Sequence, residues 1–257
     1  MQSHIYINDY YYHLQAAVYS LIREGGIPAL HEKKGYKFFC FSNIFPYGDF
    51  QTGSEKNLLI SSPDLEVLKS IESACHRRIE SDQPIIIDNL RFKISGISKP
   101  FRIDLMHDQV NIITATPIVV RIPKAKFEDY GIELKINYNY LFWREDIPVD
   151  AFVNQLYENI AKKVKGFLRI QEKNLYTAHD LDEGYFLPMI LSYKFIKSVS
   201  KPIVVKQAKQ MIIGSLWNFS FFAENAAQKA ALEIAIDSGL GERNSLGFGF
   251  VNLIRNQ

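Results

Sequence analysis

The stretch GLGERNSLGFGF, residues 239–250, is where bare backbone and polar side chains stand close enough in sequence to do chemistry together. A glycine that ends a helix needs only a positive φ, and that accounts for Gly239 after "IDS". Gly241, Gly247 and Gly249 need another reason, because glycine at a strand marks a bulge or the close approach of a backbone or ligand. Successive exposed N–H groups in such a loop form an anion-binding nest. Arg243, Asn244 and Ser245 lie within it and carry side chains suited to phosphate oxygens. The dinucleotide fingerprint follows a strand and opens a helix, whereas here the order is helix, glycines, strand, so a Rossmann site is not expected. Simple turn chemistry and phosphate binding both stay open, since glycine serves both.

Other chemistries lack their residues. His4, His13, His76, His107 and His179 show no H-x-x-H or H-E-x-x-H spacing and no paired cysteine, so no metal is expected. Cys40 and Cys75 have no partner at ligand spacing and read as small apolar side chains in a reducing compartment. There is no Walker loop and no G-x-S-x-G elbow, and no cofactor is called for. His31, alone in the polar loop ALHEKKGYK, reads by itself as a solvated surface residue. Tyr19 by itself reads as one position of an amphipathic helix.

The elements that must position these residues follow from periodicity. YYYHLQAAVYSLIR, residues 10–23, sets Leu14, Ala17, Val18, Leu21 and Ile22 at helical spacing before EGG stops the helix. YKFFCFSN and KNLLISS read as strands. A second helix follows in SPDLEVLKSIESACHRR, with Ser62 as its cap and Pro63 at its first position. LRFKISGI and VNIITATPIVVRI return to strand character. IELKINYNYLFW then leads to a helix over 149–170, to the paired strands GYFLPMILSYKFIK and QMIIGSLWNFSFFA, and to a last helix before the glycines and the strand GFGFVNLI. Two β-α-β-β-α-β units account for this order, one over residues 1–116 and one over 117–257. At most HIYIN precedes the first helix, so the first strand of the first unit is expected to be short or missing.

Composition narrows the partners. The chain has 257 residues and a formal charge of only +2, so any nucleic-acid contact must come from local clusters of Lys and Arg. HEKKGYK offers Lys33 and Lys34. AKKVKGFLR offers Lys162, Lys163, Lys165 and Arg169 on a helix, where charge runs usually form a solvated face. No apolar run reaches the ~20 residues of a bilayer span, and the N-terminus lacks a signal-peptide layout, so a cytoplasmic chain without a membrane partner is expected.

GLGERNSLGFGFV, following a helix and opening the last strand, resembles the C-terminal glycine-rich motif of the Cas6 family, the CRISPR repeat-processing endoribonucleases of the RAMP superfamily. YYYHLQAAVYSLI with ALHEKKGYKFFCFS is similar to that family's first helix and the catalytic loop after it. TATPIVV resembles the strand opening its second ferredoxin-like domain. The resemblance implies an α+β, tandem ferredoxin-like (RRM-like) fold and CRISPR repeat RNA as partner, with an effector complex or a homodimer as possible settings. It also implies catalysis by Tyr19, His31 and Lys37, and it names RNA as the ligand of the glycine segment, so that RNA is expected at Gly239, Gly241, Arg243, Asn244, Ser245, Gly247 and Gly249 and at the clustered charges of Lys33 and Lys34.

Those types suit RNA cleavage without metal, in which the 2′-OH attacks the adjacent phosphate in line and leaves a 2′,3′-cyclic phosphate and a 5′-OH. Histidine titrates near neutral pH and serves as acid or base, here the acid for the leaving oxygen. Tyr19 would act as base or as positioner of the 2′-OH, and Lys37 as electrostatic partner of the phosphorane. Two other readings compete. One is a non-catalytic RAMP-type guide-RNA-binding subunit, and the other a tandem ferredoxin-like protein with no RNA role.

Overall fold

A computed structural model describes residues 10–48, 50–99, 108–133, 138–170, 186–205 and 208–254. The first unit opens with α1 (Tyr10–Glu24), whose buried Leu14, Ala17, Val18, Leu21 and Ile22 form the stripe that the sequence sets at helical spacing. β1 (Cys40–Phe41) pairs antiparallel with β2 (Ile60–Ser61), and β3 (Ile85–Ile87) with β4 (Leu90–Phe92). Between the pairs runs α2 (Leu65–Glu80), which packs on α1. The short first strand expected before α1 falls outside the described residues.

The start of α2 corrects one expectation. The cap is Asp64, whose side chain accepts from the Glu66 N–H, and not Ser62. Ser62 sits two residues earlier, where its hydroxyl accepts from the Asp64 N–H and donates to the Phe38 carbonyl at 2.5 Å. A carboxylate satisfies a helix N-terminus as well as a hydroxyl does, and the Phe38 carbonyl claimed the serine.

The second unit comprises β5 (Gln109–Thr114), β6 (Arg121–Pro123), β7 (Tyr140–Phe142), α3 (Val149–Ile170), β8 (Met189–Val205), β9 (Ala208–Phe222), α4 (Ala226–Ser238) and β10 (Val251–Ile254). Its main sheet is antiparallel in the order β10-β5-β9-β8. Counted along the chain, that is fourth, first, third, second, with α3 and α4 as the two crossovers: a ferredoxin-like unit. The expected division at 116/117 would leave β5 with the first unit, but its ladder bonds run to β9 and β10.

Each unit has its own core. α1, α2 and Phe39, Phe41 and Ile44 enclose the first. The second lies between α3, α4 and the sheet, where Trp217 stacks on Phe152 with ring centroids 4.5 Å apart. Phe38 and Phe39 join the two: Phe38 packs against Phe167 in the second core, and Phe39 against Tyr19 in the first. Phe38 adopts a φ of 54°, a left-handed conformation that costs an aromatic residue about 1–3 kcal/mol and persists only where packing enforces it. The strained residue adjoins Lys37.

Candidate active site

Tyr19 lies on the last turn and a half of α1, half-buried, and His31 follows the short turn Pro28–Leu30. The two Gly residues after α1 let the chain reverse, so that the His31 ring meets Tyr19 edge to face, with centroids 4.8 Å apart. Burial raises the Tyr19 pKa above that of a free phenol, opposed by a hydrogen bond with the Ser245 side chain. His31 is exposed, as are Lys33 and Lys34 beside it.

Lys37 also reaches this loop, but not as expected. Its Nζ donates to the carbonyls of Leu30 and His31, each at 2.9 Å, and to that of Lys33. Three donors are thereby turned onto the backbone that carries His31. Burial, and then the charge of Lys33, lower its pKa. Lys37 closes the turn that carries His31 and places its charge inside it.

The glycine segment departs further from expectation. Gly239, Gly241, Gly247 and Gly249 are all buried and all have positive φ, so they present no open backbone to a ligand. A Cβ on Gly249 would lie 1.9 Å from the Leu240 carbonyl oxygen, and one on Gly247 2.7 Å from the Phe41 ring. The close approach these glycines permit is that of the protein to itself. The N–H groups of Leu240, Glu242, Leu246, Gly247 and Gly249 donate to protein carbonyls and are not left for an anion.

Asn244 is turned inward as well. Its amide nitrogen donates to the carbonyls of Leu240 and Phe248, 3.0 Å each, and its oxygen accepts from Lys163 Nζ at 2.6 Å. This buried amide ties the two ends of the loop instead of facing phosphate. Arg243 and Ser245 remain half-buried on the outer side.

These elements meet at a cleft of about 580 Å³, whose walls include Tyr36, Lys37, Asn159, Lys163, Arg243 and Ser245. Arg121 beside it lies over the Tyr140 ring and pairs with Glu242. Lys163, expected on a solvated face, is 1 % exposed, and burial lowers its pKa to about 7. The periodicity carried the signal: Leu156, Ile160, Lys163, Val164 and Phe167 share the buried stripe of α3. Lys162, one position before Lys163, is exposed and pairs with Glu158.

Among the described residues, no group of three or more His, Cys, Asp and Glu side chains is placed to hold a metal ion. Cys40 is buried, its thiol pKa pushed up by burial, and is packed as a small apolar side chain against the end of α4. Among the described residues, no helix is long and apolar enough to cross a membrane.

Two α+β units, with a histidine loop from the first meeting a glycine-rich segment from the second, give the chain a tandem ferredoxin-like fold. The chain matches the family model described as CRISPR associated protein Cas6, C-terminal, over residues 97–253. With more than half of its length in that match, it belongs to the Cas6 family. It is 29% identical over 247 residues to a protein of Methanocaldococcus jannaschii named CRISPR-associated endoribonuclease Cas6 2, covering 94% of this chain and 91% of that one. A Haloferax mediterranei protein named CRISPR-associated endoribonuclease Cas6 is 27% identical over 253 residues, covering 97% and 88%. Among solved structures, a Cas6-related protein of Pyrococcus furiosus superposes with a TM-score of 0.67 at 21% identity, over 100% of this chain and 95% of that one.

Proposed function

We propose that this protein is an endoribonuclease that cleaves CRISPR repeat RNA without a metal ion, using His31 and Tyr19. The observation that carries the reading is the Tyr19–His31 contact, made by two elements of the first unit and touched by Ser245 from the second. Both relatives above are named as endoribonucleases, which supports the same activity.

The 2′-OH attacks phosphorus in line, its proton passing to solvent, while His31 as imidazolium gives a proton to the departing 5′-oxygen. The products are a 2′,3′-cyclic phosphate and a 5′-OH. With its pKa raised by burial, Tyr19 stays a neutral phenol, and so it positions the 2′-OH instead of deprotonating it. Lys37 fixes the turn that carries His31 and supplies positive charge at short range. Lys33, Lys34 and Arg243 are the phosphate contacts on the outer rim.

The test is cleavage of repeat RNA in EDTA. Wild type is expected to cut, and His31→Ala to lose about 10²–10⁴-fold in rate with its RNA affinity retained. Undiminished cutting by that variant overturns the site. Tight binding by a wild type that does not cut assigns the chain to the non-catalytic guide-RNA-binding subunits instead.

A further inference from the structure

A lysine that loses nearly all contact with water needs partners, because burying a polar group without hydrogen bonds is strongly unfavourable. Lys163 on α3 has two. Its Nζ donates to the Gly239 carbonyl at the end of α4 and to Asn244 Oδ1 in the glycine segment. A neutral amine retains two N–H donors, which matches the two acceptors. The lysine stem passes beside Tyr36, whose ring lies 5.8 Å from Nζ.

What Lys163 grips decides what Ser245 can do. With Asn244 Oδ1 held, its Nδ2 is aimed at the carbonyls of Leu240 and Phe248, so one side chain spans the loop from end to end. Ser245 is the next residue, on the short turn Asn244–Leu246 that packs against α1, and its side chain faces the Tyr19 phenol. The second unit thus reaches the catalytic tyrosine through an unbroken series of contacts that begins on α3.

We propose that Lys163 is a positioning residue, which through Asn244 sets the glycine segment so that Ser245 holds the Tyr19 phenol in place. The role rests on the endoribonuclease reading above for its catalytic consequence, but the clamp itself exists without RNA.

Lys163→Met removes both donors at nearly constant volume. Its single-turnover cleavage of repeat RNA should fall about 10- to 100-fold, as expected for a displaced active-site group, with RNA affinity within about threefold of wild type. Amide hydrogen exchange across residues 240–249 of the free protein should quicken. Lys163→Gln, which keeps two N–H donors on a shorter stem, should recover part of both the rate and the protection. Combined with Ser245→Ala, the Met substitution should add little further loss, since both act on one contact.

A wild-type rate in Lys163→Met, losses that multiply in the double variant, or exchange that stays unchanged would each overturn the proposal. If Lys163→Met does not fold, Lys163→Gln carries the test: a lower rate without faster exchange at 240–249 also overturns it. Should the wild type cut no repeat RNA, the endoribonuclease reading fails, and exchange in the two variants still decides the clamp.

Discussion

At the scale of single residues, the proposed reaction turns on how differently Tyr19 and His31 are placed. The phenol is half-buried and its pKa is raised, while the imidazole is exposed at the end of a short turn. A phenol that stays protonated contributes a hydrogen bond and no titration. Tyr19→Phe is therefore expected to lower the cleavage rate about tenfold, while the rate against pH between about 6 and 9 keeps its shape. A lost alkaline limb in that variant would make Tyr19 the base. The expectation for these three residues comes from the family pattern around YYYHLQAAVYSLI and ALHEKKGYK, and the sequence placed Tyr19 on a helix and His31 in the loop after it, as the structure has them. That Lys37 turns its donors onto the carbonyls of Leu30, His31 and Lys33 was not legible, because sequence spacing does not say which acceptor a long flexible side chain will find.

At the scale of elements, the glycine segment is a piece of packing. Glycines that admit RNA and glycines that admit the protein's own backbone look alike in sequence, since both need a missing Cβ. Gly249 separates them: its φ is +74° and a Cβ would fall 1.9 Å from the Leu240 oxygen. Gly249→Ala should lower unfolding stability by more than about 2 kcal/mol, read from urea titration, with RNA affinity unchanged in the fraction that remains folded. Weaker binding by a variant of unchanged stability would restore the phosphate nest. The helices were the most legible elements. The range 149–170 matched α3 at both ends, and the stripe of α1 was buried as spaced. Boundaries governed by competing side chains, such as Ser62 against Asp64, were not.

At the scale of the whole molecule, the seam between the units carries both the site and a titratable group. Lys163 falls from an ordinary value of 10.5 to about 7 because burial disfavours its charged form. Between those values the unfolded chain binds a proton that the native protein does not. The cost of burying the charge is thus fully present below about pH 7, and stability rises with pH from there toward about 10.5. In Lys163→Met that rise in stability, measured by urea unfolding between about pH 7 and about pH 9.5, should flatten; an unchanged slope would place the titration elsewhere. By itself the sequence determined the helices and the paired strands of the second unit, because periodicity and turn chemistry act over a few neighbouring residues. Only the tertiary structure decided that β5 joins β9 and β10, that Lys163 is buried, and that four glycines and Asn244 face inward. Those outcomes depend on groups up to about two hundred residues apart competing for the same hydrogen bonds and the same space.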